Sequence, residues 1–271
     1  MEGRWTRAAL SLWTAIILVF LFTPIVLIFV YAFNTSNIQS WPIPGLTTKW
    51  FVATWNDGEV RRALSLSLQA GLAATALALV LGSCAAFAIH RMTWFGKEVV
   101  SLLFVLPLAL PGIVTGIALN SFFSFGGISL SVWTIVVGHT TFCIVVVYNN
   151  VLARLRRTQG SLIEAAMDLG ATPFQVFRDV TLPLISTAIV AGAMLAFALS
   201  FDEVIVTFFT AGAQNTLPLW IFGAIRLGQR LPEVNVVVSF VILVTIIPVL
   251  VAARLTGGGG TTRVPAAPPP S

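Results

Sequence analysis

Charge is scarce in this chain. Only 9% of its 271 residues are Asp, Glu, Lys or Arg, while 57% are hydrophobic. A soluble domain carries roughly 25% charge, so this chain has too little polar surface to cover a globule of its own. Cysteine is nearly absent: Cys84 and Cys143 both fall inside apolar runs. Their spacing suggests neither a disulfide nor a metal pair, and free thiols in such surroundings act as small hydrophobes. No Ser/His/Asp, Cys/His or metal-ligand constellation occurs, so no catalytic or metal site is expected. The phosphate-binding pattern G-x-x-x-x-G-K-[ST] is missing as well. The one Gly-Lys pair, Gly96-Lys97, is followed by Glu98, which excludes ATP binding through that loop.

What the chain has instead is long apolar runs. A run of about 20 residues crosses a hydrocarbon core of about 30 Å, and six such runs occur, at about 10–33, 64–89, 99–120, 129–151, 184–207 and 235–254. The expected fold class is an all-α polytopic membrane protein with six transmembrane helices, occupying residues 1–255. The first run follows Arg4 and Arg7, is too long for a cleaved signal and has no small-residue cleavage site after it, so it reads as a signal anchor. The net charge of +5 reflects basic loops on one side of a membrane rather than nucleic-acid binding. With the N-terminus inside, ten of the 15 Lys and Arg residues fall on the inner side. The positive-inside rule therefore predicts that both termini are cytoplasmic. Residues 256–271, Gly-rich and then Pro-rich, have nothing to pack and are expected to be a disordered cytoplasmic tail.

Two loops and one span stand out. The outer 34–63 loop carries Trp41, Trp50 and Trp55, which suit an interfacial anchor belt and also leave ligand contact open. The third span contains Pro107, Pro111 and Gly112, which predict a kink. Gly112 and Gly116 form a G-x-x-x-G pair that permits close helix contact. Such a helix either packs or lines a pathway.

The loop over 153–183 contains "EAAMDLGATPFQVFRDVTLP", Glu164 to Pro183. Ser161 and Glu164 have the spacing of a capping box, and so do Thr172 and Gln175, with Pro173 in the first helical position. Gly170 stands between them, where a left-handed break is easiest. The loop therefore reads as two short amphipathic helices around a glycine turn. Ile163 and Met167 lie on one apolar face, Phe174, Phe177 and Val180 on the other. These faces either rest on the membrane and the spans or dock into a groove of a soluble partner.

Glu164-Ala165-Ala166, Gly170 and Leu182-Pro183 resemble the EAA loop of ABC-importer permeases, with Val180 where isoleucine is usual. The stretches "ALPGIVTGIAL", "LAFALSFDEVIVTFFTAG" and "NTLPLWIF" extend the resemblance over most of residues 60–255. They are most similar to the inner-membrane permeases of spermidine/putrescine-type importers, the second, PotC-like type. The resemblance implies a type I, MetI-like permease fold and a non-catalytic transport subunit. It implies that Glu164, Ala165, Ala166, Gly170, Phe174, Phe177, Leu182 and Pro183 couple to a cytoplasmic ATPase. It also implies a sister permease completing a heterodimer, two ATPase subunits that bind the ATP, an extracytoplasmic solute-binding protein, and a place in the inner membrane.

Four residues are candidates for the substrate path: Asp202, Glu203, Phe208 and Trp220. With a fifth helix running from Leu184 to Phe209, 26 residues span roughly 39 Å, and Asp202 lies about two-thirds of the way out. Intramembrane carboxylates usually face a cavity or a partner, and a polyamine is a flexible polycation. Neighbours on a helix point about 100° apart, so one of the two carboxylates is expected to face the path. The competing readings are an ion pair with Arg226 or Arg230, or a helix-end role. Phe208, Phe209 and Trp220 offer cation–π faces or plain packing. His139 is expected to be a hydrogen-bonded packing residue, and Tyr148, Asn149 and Asn150 either line a path or bind helices together. A different small solute (ferric iron, thiamine, an opine) fits the same importer class. A stand-alone channel or secondary carrier would predict an inverted repeat, and none is found.

Overall fold

The computed structural model describes residues 3–93 and 96–257, with side chains up to Ile246. The described residues are helical apart from short loops and one isolated bridge between Asn34 and Leu46. They form two compact units, one from Gly58 to Gly223 and one joining the residues up to Asp57 with those from Ala224 onward.

In the second of these units, α1 (Arg4–Ala32) packs on α12 (Leu231–Gly257), and α12 packs on the short α2 (Lys49–Asn56). The flank of α1 is apolar and exposed, as at Leu10, Val19 and Phe20. Two of its hydroxyls turn back onto its own backbone, Thr14 to Leu10 O at 2.8 Å and Thr23 to Val19 O at 2.6 Å. That is how a helix keeps its polar groups satisfied where no water can reach. Of the loop tryptophans, Trp41 and Trp55 are exposed, while Trp50 is partly buried and donates from Nε1 to Asn34 O at 2.7 Å. Arg230 has a positive φ of 56°. Its guanidinium holds that turn by pairing with Asp57 at the end of α2 and Glu233 in the first turn of α12. Burial works against the cation, but the hydrogen bonds it donates to Glu233 and Asp57 outweigh that and raise the Arg230 pKa.

The larger unit is built on α3 (Gly58–Arg91) against α6 (Val132–Arg157). The buried side of α3 is made of small residues, Ala63, Ala70, Ala74, Ala78 and Ala86 among them. Between them sits Gly82, where an added Cβ would stand 2.8 Å from Ile144 O of α6. Lipid is as apolar as leucine, so helices in it associate through such close backbone approach. Cys143 is buried and donates to Ala196 O at 3.3 Å, whereas Cys84 lies exposed on the outer side of α3.

The third expected span is not one kinked helix. It is α4 (Lys97–Ala109) and α5 (Gly112–Phe125), turned 99° apart. The break falls at Leu110, which is extended (ψ 141°) because it precedes Pro111. Pro107 is carried inside α4. Four described helices are long and apolar enough to cross a membrane, or five if the bent pair is one span. The sixth expected span falls on α12, described with its side chains as far as Ile246. The expected tail lies, from residue 258, outside the described residues.

After α6 come α7 (Gly160–Asp168), the single turn α8 (Pro173–Gln175), a π-helical turn over Val176–Thr181, and α9 (Leu182–Phe201). The expected fifth helix to Phe209 stops at Phe201. A separate helix, α10 (Ile205–Thr210), follows. This unit ends within α11 (Leu217–Arg226), a helix outside the six expected spans, whose start is anchored by the Leu217 N–H on the buried Ser67 hydroxyl at 2.8 Å.

Candidate functional site

The connection between α6 and α9 starts from a helix that ends in Arg154, Arg156 and Arg157, well placed against the negative end of its dipole. Two linking residues lead into α7. The expected box at Ser161 and Glu164 does not form, because α7 opens at Gly160, with Gln159 as N-cap and no side-chain cap. Gln159 already accepts the first backbone bond, from Leu162, so Ser161 and Glu164 sit inside the helix. The second box does form. The Gln175 N–H donates to Thr172 Oγ1 at 3.4 Å, and the Thr172 N–H donates to Gln175 Oε1 at 2.8 Å. Between the helices the chain closes in a Schellman motif, Gly170 N to Met167 O at 2.9 Å and Ala171 N to Ala166 O at 3.1 Å. Gly170 takes φ +84°, a conformation that L side chains resist.

The second helix does not end before Pro183. α8, the π turn and α9 form one continuous helix, Pro173–Phe201. Pro183 has no N–H for the carbonyl four residues earlier and its ring crowds that carbonyl; a π turn is one way a helix absorbs the mismatch. The wider register turns Val176 and Thr181, five residues apart, inward. Phe174 is left 69% exposed. Phe177 is only 40% exposed, with its ring edge-on to Phe87 of α3, centroids 5.7 Å apart. Met167 and Leu169 are exposed on the other side of the glycine turn from Phe174, and Glu164 and Ala165 are exposed on α7. The loop thus presents a small apolar edge that nothing among the described residues covers.

At the far end of α9 the path candidates separate. Asp202 is not two-thirds along a continuous helix; it is the C-cap of α9, exposed, with no side-chain bond or ion pair among the described residues. Glu203 is half-buried and caps α10, its Oε1 accepting from the Val206 N–H at 2.9 Å. Arg230, one expected ion-pair partner, is engaged with Asp57 and Glu233 instead. Phe208 is 55% exposed and Trp220 only 5%. Phe209 packs on α5, where a Cβ on Gly116 would stand 2.6 Å from its ring. Asn120 Nδ2 donates to Phe209 O at 2.7 Å. Gly112 faces Ile205. The G-x-x-x-G pair therefore receives α10.

His139 and Tyr148 are buried tie points. Tyr148 shares a 2.7 Å hydrogen bond with Ser101 of α4 and stacks on Phe104. Asn149 and Asn150, with Arg154, Arg157 and Thr187, line an open cavity of ≈ 380 Å³ between α6 and α9. No cluster of three or more His, Cys, Asp or Glu among the described residues could hold a metal.

A family model described as the binding-protein-dependent transport system inner membrane component matches residues 78–257. The spermidine/putrescine transport system permease protein PotC of Escherichia coli K12 is 35% identical over 234 residues, covering 85% of this chain and 87% of PotC. The putrescine transport system permease protein PotI of the same strain is 34% identical over 246 residues, covering 86% of each chain. A solved bacterial ABC transporter involved in the import of the acidic polysaccharide alginate shares the fold. Its TM-score is 0.67 at 15% identity, with 96% of this chain and 99% of that chain covered.

Proposed function

This chain belongs to the family of binding-protein-dependent transport inner membrane components, and we propose that it carries polyamines such as putrescine and spermidine. It is a multi-pass membrane permease subunit of an ABC importer, a role that implies ATPase and solute-binding partners. In our reading residues 1–255 form half of the path and a sister permease forms the other half. Two ATPases sit on the cytoplasmic side, where both termini also lie.

The observation that carries the coupling role is the exposed edge of Met167, Leu169 and Phe174, closed by Gly170 and continuous through Pro173–Phe201 with a membrane-spanning helix. An apolar edge on a short rigid helix fits a groove in a soluble partner. The arginines that end α6 favour a cytoplasmic location for the loop. Glu164, Ala165, Ala166, Leu182 and Pro183 shape the loop, and Phe174 makes the principal contact. Phe177 contributes less, being half turned onto Phe87. The polyamine assignment is supported by the names of the relatives and by the exposed Asp202 carboxylate, to which a polycation is complementary. Phe208 adds an aromatic face near it in sequence, while Glu203 and Trp220 support the local structure.

The test is uptake of labelled putrescine and spermidine in cells with the gene, without it, and with Glu164→Ala. Loss of uptake in both altered strains is the expected result. Unchanged uptake after deletion, in a strain with no other polyamine importer, removes the polyamine assignment. Full uptake with Glu164→Ala removes the coupling role of the loop.

A further inference from the structure

The break between α9 and α10 is bridged by one side chain from a helix more than 60 residues away. His139 of α6 is 1% exposed, with Nδ1 2.7 Å from Ser200 Oγ and Nε2 2.8 Å from Thr207 Oγ1. Thr207 donates its own hydroxyl proton to Glu203 O at 2.7 Å, so towards His139 it accepts. That places the ring proton on Nε2, and Nδ1 accepts from the Ser200 hydroxyl. Ser200 lies in the last turn of α9 and Thr207 in the first turn of α10. One neutral imidazole therefore fixes both banks of the turn, and Asp202 lies on that turn.

The neighbours point the same way. Gly138 leaves room for α10, since a Cβ there would stand 3.2 Å from Val206 Cγ1. Thr134, one turn earlier on α6, donates to Thr210 O at 2.7 Å. Glu203 is drawn into the cap of α10, which leaves Asp202 as the carboxylate of the turn that stands outward. Ser200 could have bonded a carbonyl of its own helix, as Thr210 does with Val206 O; it reaches across to α6 instead.

We propose that His139 is a positioning residue for substrate. By pinning Ser200 and Thr207 it sets where the Asp202 carboxylate stands along the path taken by a polycation. The proposal rests on the reading of Asp202 as a path carboxylate. Electrostatic contact with a bound ammonium weakens with distance, and a misplacement of about 1 Å can reduce turnover by as much as about a hundredfold.

The experiment measures labelled putrescine uptake by the complete transporter in cells whose chromosomal copy carries Asp202→Asn, His139→Ala, His139→Gln, or His139→Ala with Asp202→Asn. Membrane levels of each variant are measured in parallel. His139→Ala is expected to raise KM about three- to tenfold at undiminished membrane level. His139→Gln, whose carboxamide can still donate towards Thr207, is expected to recover most of the loss. In the Asp202→Asn background His139→Ala is expected to add nothing. If Asp202→Asn raises KM while His139→Ala does not, or if the two effects multiply, the positioning role is overturned and the reading of Asp202 stands. Wild-type kinetics for Asp202→Asn take Asp202 off the path, and the role of His139 goes with it. Should His139→Ala fail to accumulate, Thr207→Val, which removes one arm and leaves the ring in place, is put through the same comparison.

Discussion

The chain breaks its helices in two places that could hardly differ more. At Gly170 the break stands in the open: a Cβ there would meet nothing within 4 Å, and Leu169 before it is 89% exposed. At Asp202–Val204 the break is stapled from α6 by His139, the helix that follows is held at its far end by Thr134 and Asn120, and Gly116 and Gly138 against that helix are crowded. Gly170 is required by its own backbone angle; Gly116 is required by its neighbour. The open break keeps apolar groups outside, and the stapled break keeps polar groups inside. The surface proposed to meet the ATPase is left uncovered, whereas the helix after the turn proposed to hold a path carboxylate is bonded from several directions.

Substitutions can break or sharpen that contrast. The largest loss of stability is expected from Gly116→Ala, because the new methyl meets the Phe209 ring and overpacking costs about 1–3 kcal/mol. Thermal melts of the purified complex should show it, and an unchanged melt would mean that α10 does not rest on α5. Gly170→Val comes next. The left-handed backbone disfavours it by about 1–2 kcal/mol with no clash at all, so the complex should still assemble while ATP hydrolysis and uptake separate. Retained uptake would show that the turn can change shape without consequence. Thr172→Ala removes the cap of the second loop helix and should cost about 1 kcal/mol, read as faster amide exchange in the loop. Smallest in the melt is Phe174→Ala, within about 0.5 kcal/mol as for other exposed sites. Its effect should appear in uptake and in crosslinking to the ATPase. Phe177→Ala should do the reverse, shifting the melt more and coupling less, because its ring already leans on Phe87.

Local signals carried well from sequence to structure, and long-range ones did not. The Thr172-Pro173-Gln175 box and the Gly170 turn depend on residues within a few positions of one another, and both form as read. The Ser161 box failed although its letters were right, because the two-residue link after Arg157 lets Gln159 open the helix first. The spans were legible as apolar stretches, but their ends were not. α6 continues through three arginines to Arg157, and α3 begins six residues before the apolar run, at Gly58. The stop at Asp202 could not be read locally. "SFDEVIVTFF" carries no proline or glycine to mark a stop, and the turn that interrupts it is held by one side chain, His139, 61 positions from Ser200 and 68 from Thr207. Which carboxylate turns outward depends on Glu203 bonding the first turn of α10, a contact with no mark in the local sequence.

The unbroken helix from Pro173 to Phe201 makes the molecule a lever. Its 29 residues reach roughly 43 Å. Phe174 rides at one end and the Asp202 turn at the other, joined by unbroken helix. If a partner pushes on the Phe174 end, as proposed, the push is expected to reach the Asp202 end as tilt or rotation, less whatever bending the π turn at Val176–Thr181 absorbs.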